Sequence, residues 1–197
     1  MKKKSIIFVI LIVFIFSMHV IAEEIDLLEK AAQAKWSNTE NKIINFGKDQ
    51  GPDGTVKYEY NITLEDGKKY NKVLFVHPQW RKNGTVLGTF DNITIPENDP
   101  KMIIAGGFNQ GASGTDGVSF NVSFIETRGK YNGSKIRVQR GTQNASYIRS
   151  ICSFNASYDR QIDRKECSLA AVAGKKGNLI IMVEAGNSPD KDWAVWR

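Results

Sequence analysis

Residues 101–126 constrain this chain more than any other stretch. Val118, Phe120, Val122 and Phe124 alternate with Ser119, Asn121, Ser123 and Ile125. A side-chain period of two sends one apolar row inward and one mostly polar row outward, so this segment reads as a half-buried strand. Met102, Ile103, Ile104 and Phe108 supply a second strand. The glycine-rich stretch between them, with Gly106, Gly107, Gly111, Gly114 and Gly117, reads as the turn of a hairpin in which the two strands pair. A sheet with one buried face needs a second layer, which the remaining chain has to provide.

The rest of the sequence has the same texture. Short β-rich runs, Ile43–Phe46, Val56–Leu64, Val73–Val76, Val86–Phe90 and Ile93–Ile95, are each bounded by Gly, Pro, Asn or Asp. After the central segment come Lys135–Gln139, Ala145–Phe154, Gln161–Leu169, Asn178–Glu184 and Asp192–Trp196. Leu179 to Val183 is continuously apolar, as an inner strand requires. Asp53-Gly54, Asp66-Gly67 and Asn132-Gly133 suit tight turns. Ahead of the strands, Ile25–Trp36 has helical spacing, with acidic residues at its N-terminal end, and predicts one short helix packed on the sheets. The expected fold class is all-β, a sandwich with a short N-terminal helix. Its boundaries are a signal peptide over 1–22, a helix and lead-in over 23–40, and the sandwich over 41–197.

Met1 to Ala22 has lysines first, an apolar run from Ile6 to Phe16 and a small residue before an acidic pair. That is the pattern of an export signal cut after Ala22; the alternative is an uncut anchor, for which the run falls short of the roughly 20 residues a spanning helix needs. Localisation is therefore read as secreted or cell-surface, with no membrane contact once the signal is gone. Cutting removes three lysines and lowers the formal charge from +6 to +3. The remaining excess is scattered, without the basic stripe that nucleic acid binding requires. Two cysteines, Cys152 and Cys167, form an even pair in an exported chain and predict a disulfide. N-x-S/T sequons stand at Asn61, Asn83, Asn92, Asn121, Asn132, Asn144 and Asn155. They are glycosylation sites if the source organism modifies its envelope proteins, and polar outward positions if it does not.

Several short blocks combine into a resemblance. These are Ala31–Trp36, Leu64-Glu65-Asp66-Gly67, Val73-Leu74 leading to His77-Pro78-Gln79-Trp80 and Asn83-Gly84, Ile95-Pro96, Gly107-Phe108, Gly114 to Phe120, Ala173-Gly174-Lys175, and the closing Asp192-Trp193-Ala194-Val195-Trp196. Together they resemble a secreted domain that recurs in bacterial and archaeal envelope proteins. In ordering they are also similar to NPCBM-type carbohydrate-binding modules of the galactose-binding-like superfamily. The resemblance implies a galactose-binding-like jelly-roll β-sandwich and a glycan or another envelope polymer as partner.

Each candidate site residue carries a functional and a structural reading. Trp80 either stacks on the apolar face of a sugar ring or covers a core edge, while His77 and Gln79 either bond sugar hydroxyls or, for His77, tie the strand end to Asp192. Asp116 either caps its turn or helps hold a structural Ca²⁺; no other cofactor is expected. Of Trp193 and Trp196, one is expected in the core and the other, Trp193, at a ligand. No catalytic motif is present: Glu126, Asp159, Asp163, Glu184 and Asp192 offer carboxylate pairs without a distinguishing spacing, and His77 is the only histidine after the signal. The chain is read as non-catalytic and carbohydrate-binding. The alternative is a structural or adhesive envelope protein that makes protein contacts.

Overall fold

A computed structural model describes residues 25–127 and 148–197. The signal segment, the sequons Asn132 and Asn144, the Asn132-Gly133 turn and the strand expected at Lys135–Gln139 lie outside the described residues. The described strands are β1 (Lys35–Ser37), β2 (Ile43–Ile44), β3 (Thr55–Thr63), β4 (Lys69–His77), β5 (Thr85–Thr94), β6 (Lys101–Phe108), β7 (Val118–Glu126), β8 (Ile148–Ala156), β9 (Asp163–Ser168), β10 (Lys176–Ala185) and β11 (Ala194–Trp196). They form two antiparallel sheets, ordered β2-β1-β5-β10-β7-β8 and β3-β4-β11-β6-β9. The fold is a β-sandwich.

The inward row read from the sequence holds. Val118, Phe120, Val122 and Phe124 are buried, and Leu179, Ile181 and Val183 face the same core from β10. The hairpin does not hold. β6 belongs to the five-stranded sheet and β7 to the six-stranded one, so residues 109–117 cross between layers. Alternation fixes which face of a strand is buried but not which strand lies beside it. The Phe120 ring lies against Gly106, where a Cβ would come within 2.9 Å of it. The two strands therefore meet face to face across the core rather than edge to edge. Trp196 completes that centre from β11, perpendicular to Phe120 at 4.8 Å, while Phe154 of β8 stacks on the same ring at 4.8 Å.

The predicted helix is also shorter than its pattern. An α-helical turn, α1 (Leu27–Lys30), capped by the Asp26 side chain, runs into a 3-10 turn at Ala31–Gln33 and stops. Trp36 is drawn instead into β1, where it packs on Gly88 so closely that a Cβ there would lie 2.6 Å from the indole. A buried tryptophan outweighs the weak preference of one more helical turn. The helix is held by Tyr58, whose hydroxyl donates to the Leu28 carbonyl and accepts from the Ala32 amide.

The two sides of the sandwich close differently. Cys152 on β8 and Cys167 on β9 form the predicted disulfide, which ties the outermost strands of the two sheets together. At the opposite side β2 is a free edge. There the Gln50 carboxamide accepts from Asn45 N–H and donates to Ile43 C=O, supplying the backbone pairing that a neighbouring strand would make.

A second, smaller apolar cluster lies outside the inter-sheet core. Val73, Phe75 and Val195 point away from the main core and are covered by Ile62, Leu64, Tyr70 and Ile162. The tip of the β3–β4 hairpin, with Asp66-Gly67 at its turn as read from the sequence, reaches β6: Leu64 bridges Asn109, and Glu65 N–H donates to the Phe108 carbonyl. Glu65 itself is 4% exposed.

Candidate functional site

The loops that carry the candidate residues gather at one end of the sandwich. Loop 78–84 leaves β4 and enters β5; loop 186–193 leaves β10 and enters β11. They are joined by Asn83 N–H to the Gly186 carbonyl at 3.0 Å and by Ala185 N–H to the Gly84 carbonyl at 2.8 Å. The crossing segment 109–117 meets them through Asn109 N–H on the Trp193 carbonyl at 3.0 Å.

Trp80 is 57% exposed, the only tryptophan on this end so open to solvent among the described residues. Its backbone N–H donates to the Pro52 carbonyl and its indole leans on the His77 ring, centroid to centroid 5.8 Å, so an exposed aromatic is fixed from below. His77 is buried and does not reach Asp192; its Nδ1 donates to the Pro78 carbonyl at 2.7 Å. Burial holds its pKa below the ordinary 6.5, against a smaller upward pull from the Pro78 carbonyl and Asp49. Gln79 is buried too, its Oε1 accepting from the Thr39 hydroxyl at 3.0 Å. The rim next to the indole is Arg81, which pairs with Glu40 and donates to the Thr39 hydroxyl.

Asp116 is engaged, though not with its own turn. Its Oδ2 accepts from the backbone N–H groups of Asn187 and Ser188, at 2.7 and 3.1 Å, and so orders loop 186–188 from seventy residues away in the chain. Asp192, fully buried, accepts from the Thr115 hydroxyl through Oδ1, while Oδ2 has no partner among the described residues. Burial pushes its pKa up to about 6; Asp116 and Asp190 add to the rise, and the Thr115 and Gly186 donors oppose it. Among the described residues, no three acid, histidine or cysteine side chains converge as metal ligands do. Trp193 is 37% exposed and rests on Gly111, and Trp196 is the buried member of the pair.

The structure thus gathers all five predicted residues at one end but presents them unequally. Trp80 and Trp193 offer aromatic surface; His77, Gln79 and Asp116 hold the loops beneath. The sequence reading missed Arg81 and Glu40, which flank the indole, because their loops are forty residues apart. It also missed Glu65, which presents as an ordinary turn residue beside Asp66-Gly67. The cue there is a carboxylate following directly on a buried leucine.

Three of the described sequons share a backbone peculiarity: Asn61, Asn83 and Asn92 all have positive φ, near 55°. Asn155 accepts from the Ser119 hydroxyl across β7 and β8.

No family model and no curated protein matches the sequence. Solved structures that match include CBM51-2 in complex with GlcNAc and INT domains from Clostridium perfringens ZmpB, at 13% identity and TM-score 0.41 over 70% of this chain and 24% of that one. A carbohydrate-binding module of the β-sandwich superfamily matches at 12% identity and TM-score 0.47, covering 86% of this chain and 57% of that one. The CBM22-2 xylan-binding domain from Paenibacillus barcinonensis Xyn10C matches at 10% identity and TM-score 0.38, covering 72% and 82%. The chain spans about a quarter of the first of these structures and just over half of the second. The assignment as a sandwich rests on the strand order above, with these as similar shapes.

Proposed function

We propose that the chain is an exported, non-catalytic carbohydrate-binding module of the NPCBM type, acting at the cell surface, with Trp80 as its sugar platform. The observation that carries this reading is an indole more than half exposed on a backbone held in place by its bond to Pro52 and a loop tied to Gly186, with the His77 ring beside it. An exposed indole is a flat apolar surface, and a pyranose offers an apolar C–H face of matching size. Fixing the ring in advance lowers the entropy lost on binding. Arg81, at the rim, is placed to donate to hydroxyl groups.

A catalytic role finds no such support. Glu126 is paired with Lys175, and Glu65 is committed to three backbone donors. Asp116 already orders its loop through two backbone hydrogen bonds to Oδ2.

The test is binding of the folded protein to a broad glycan array, with Trp80→Ala and Trp193→Ala beside it. Saturable binding that falls at least about tenfold in Trp80→Ala, a loss of roughly 1.4 kcal/mol, is the expected result. Binding unaffected by Trp80→Ala sinks this placement of the site. Silence of the folded wild-type protein favours the adhesive reading, for which exposed Ile103 and Tyr60 are the surface to examine.

A further inference from the structure

Trp80 and the sequon at Asn83 belong to one closed loop. Gly84 N–H donates to the Arg81 carbonyl at 2.9 Å, which makes Arg81–Gly84 a β-turn. Of its two central residues only Asn83 has positive φ, at 53°, the arrangement of a type II turn. The arms of the loop touch: a Cβ on Gly84 would lie 2.2 Å from the Gln79 carbonyl oxygen. Trp80 therefore enters the turn, Asn83 sits at its apex, and Thr85 leaves it as the first residue of β5. Three Cα steps, at most about 11 Å, separate the backbone of Trp80 from that of the exposed Asn83.

The other described sequons lack this arrangement. Tyr58 stands three residues before Asn61, but both lie in β3, and the Tyr58 hydroxyl is committed to the Leu28 carbonyl. The residues three before Asn92, Asn121 and Asn155 are Thr89, Val118 and Cys152.

We propose that Asn83 is N-glycosylated and that its first N-acetylglucosamine lies on the Trp80 indole, so that modification closes the platform to free sugars. This rests on the reading of Trp80 as a sugar platform. Transfer forms a bond from Asn83 Nδ2 to the anomeric carbon of the sugar. It breaks that carbon's bond to the pyrophosphate of a lipid-linked oligosaccharide donor, which leaves with the electron pair as the amide gives up one proton. Thr85, which completes the sequon, is 3% exposed, and its buried hydroxyl has no hydrogen-bond partner among the described residues, so transfer precedes folding. A tethered sugar acts at an effective concentration in the millimolar range, enough to outcompete a weakly bound free glycan.

The full chain is produced in an N-glycosylating host and in one without the pathway, as wild type, Asn83→Gln and Trp80→Phe. Peptide mass spectrometry is expected to find Asn83 occupied in the first host. Occupancy is expected to reduce acrylamide quenching of tryptophan fluorescence relative to Asn83→Gln. It is also expected to raise the melting temperature by about 3 °C, a shift of the size one aromatic stack gives in a chain this long. Both differences should vanish in Trp80→Phe for quenching and shrink for melting. An unoccupied Asn83, or an occupied one that leaves quenching unchanged, overturns the proposal. Free-sugar binding by the unglycosylated wild type is measured separately. If it is absent, the platform reading for external glycans fails while quenching still decides the tethered sugar; if it is present and at least tenfold weaker after glycosylation, the closure is supported.

Discussion

The inter-sheet core and the cluster under the β3–β4 hairpin tip are both apolar and both fully enclosed, yet they are held by different means. The first joins two sheets through Phe120, Phe154 and Trp196. The second is a flap on the outside of one sheet, pinned by a buried carboxylate: Glu65 accepts from Phe108 N–H at 2.9 Å, Asp159 N–H at 3.0 Å and Arg160 N–H at 3.2 Å. Burial pushes Glu65 up to about 7 although all three donors favour its charged form. The lesson is that area alone encloses a core between two sheets, whereas a hairpin folded over one sheet needs a polar clasp and inherits its pH dependence.

Breaking the first region should have the largest effect. Phe120→Ala removes the ring shared by both sheets and is expected to cost about 3–5 kcal/mol in urea unfolding, at all pH values. Replacing both Cys152 and Cys167 by serine should cost about 3 kcal/mol by the loop-closure entropy of the unfolded chain, again without pH dependence. A pH-dependent loss in either variant would show that the two regions are not separate.

Titration sharpens the contrast. Glu65 and Asp192 both have folded values above their ordinary ones of 4.5 and 3.8, so their stabilising contribution is complete below those values. It is lost as pH rises through about 6 for Asp192 and about 7 for Glu65. His77 works in the opposite sense, since its lowered pKa favours the fold above pH 6.5 and less below it. The net expectation is a fold weaker at pH 8 than at pH 5 by on the order of 2 kcal/mol, read from urea midpoints. Glu65→Gln, which resembles the protonated acid, should cost about 1 kcal/mol or less at pH 5 and flatten the upper part of that profile. Hydrogen exchange should then quicken at the Phe108, Asp159 and Arg160 amides and stay slow at Val122 and Ile181. Uniform quickening would mean that the flap is not an independent unit.

The same division describes what was legible in the sequence. Strands of the inter-sheet core announce themselves by alternation in 118–124 and by the apolar run at 179–183, because burying one face requires nothing else. Neighbours in the sheet are not written there: β6 and β7 look like a hairpin until Phe120 is seen to need Gly106 opposite it. Trp36 reads as the end of a helix because its pocket at Gly88 is fifty residues away. In the candidate site, the aromatic at Trp80 was visible and its exposure was not, since exposure depends on where loops from 38–42 and 50–54 lie. Glu65 left almost no signal, because its three donors come from Phe108, Asp159 and Arg160, all distant in the chain.

β11 has an implication for how this protein comes into being. It lies between β4 and β6, and those two strands have no partner on that side until Ala194, Val195 and Trp196 arrive. Trp196 is also the edge against which Phe120 packs. A ribosome must therefore deliver residue 196 before the five-stranded sheet can be completed, and until then β4 and β6 wait with open edges.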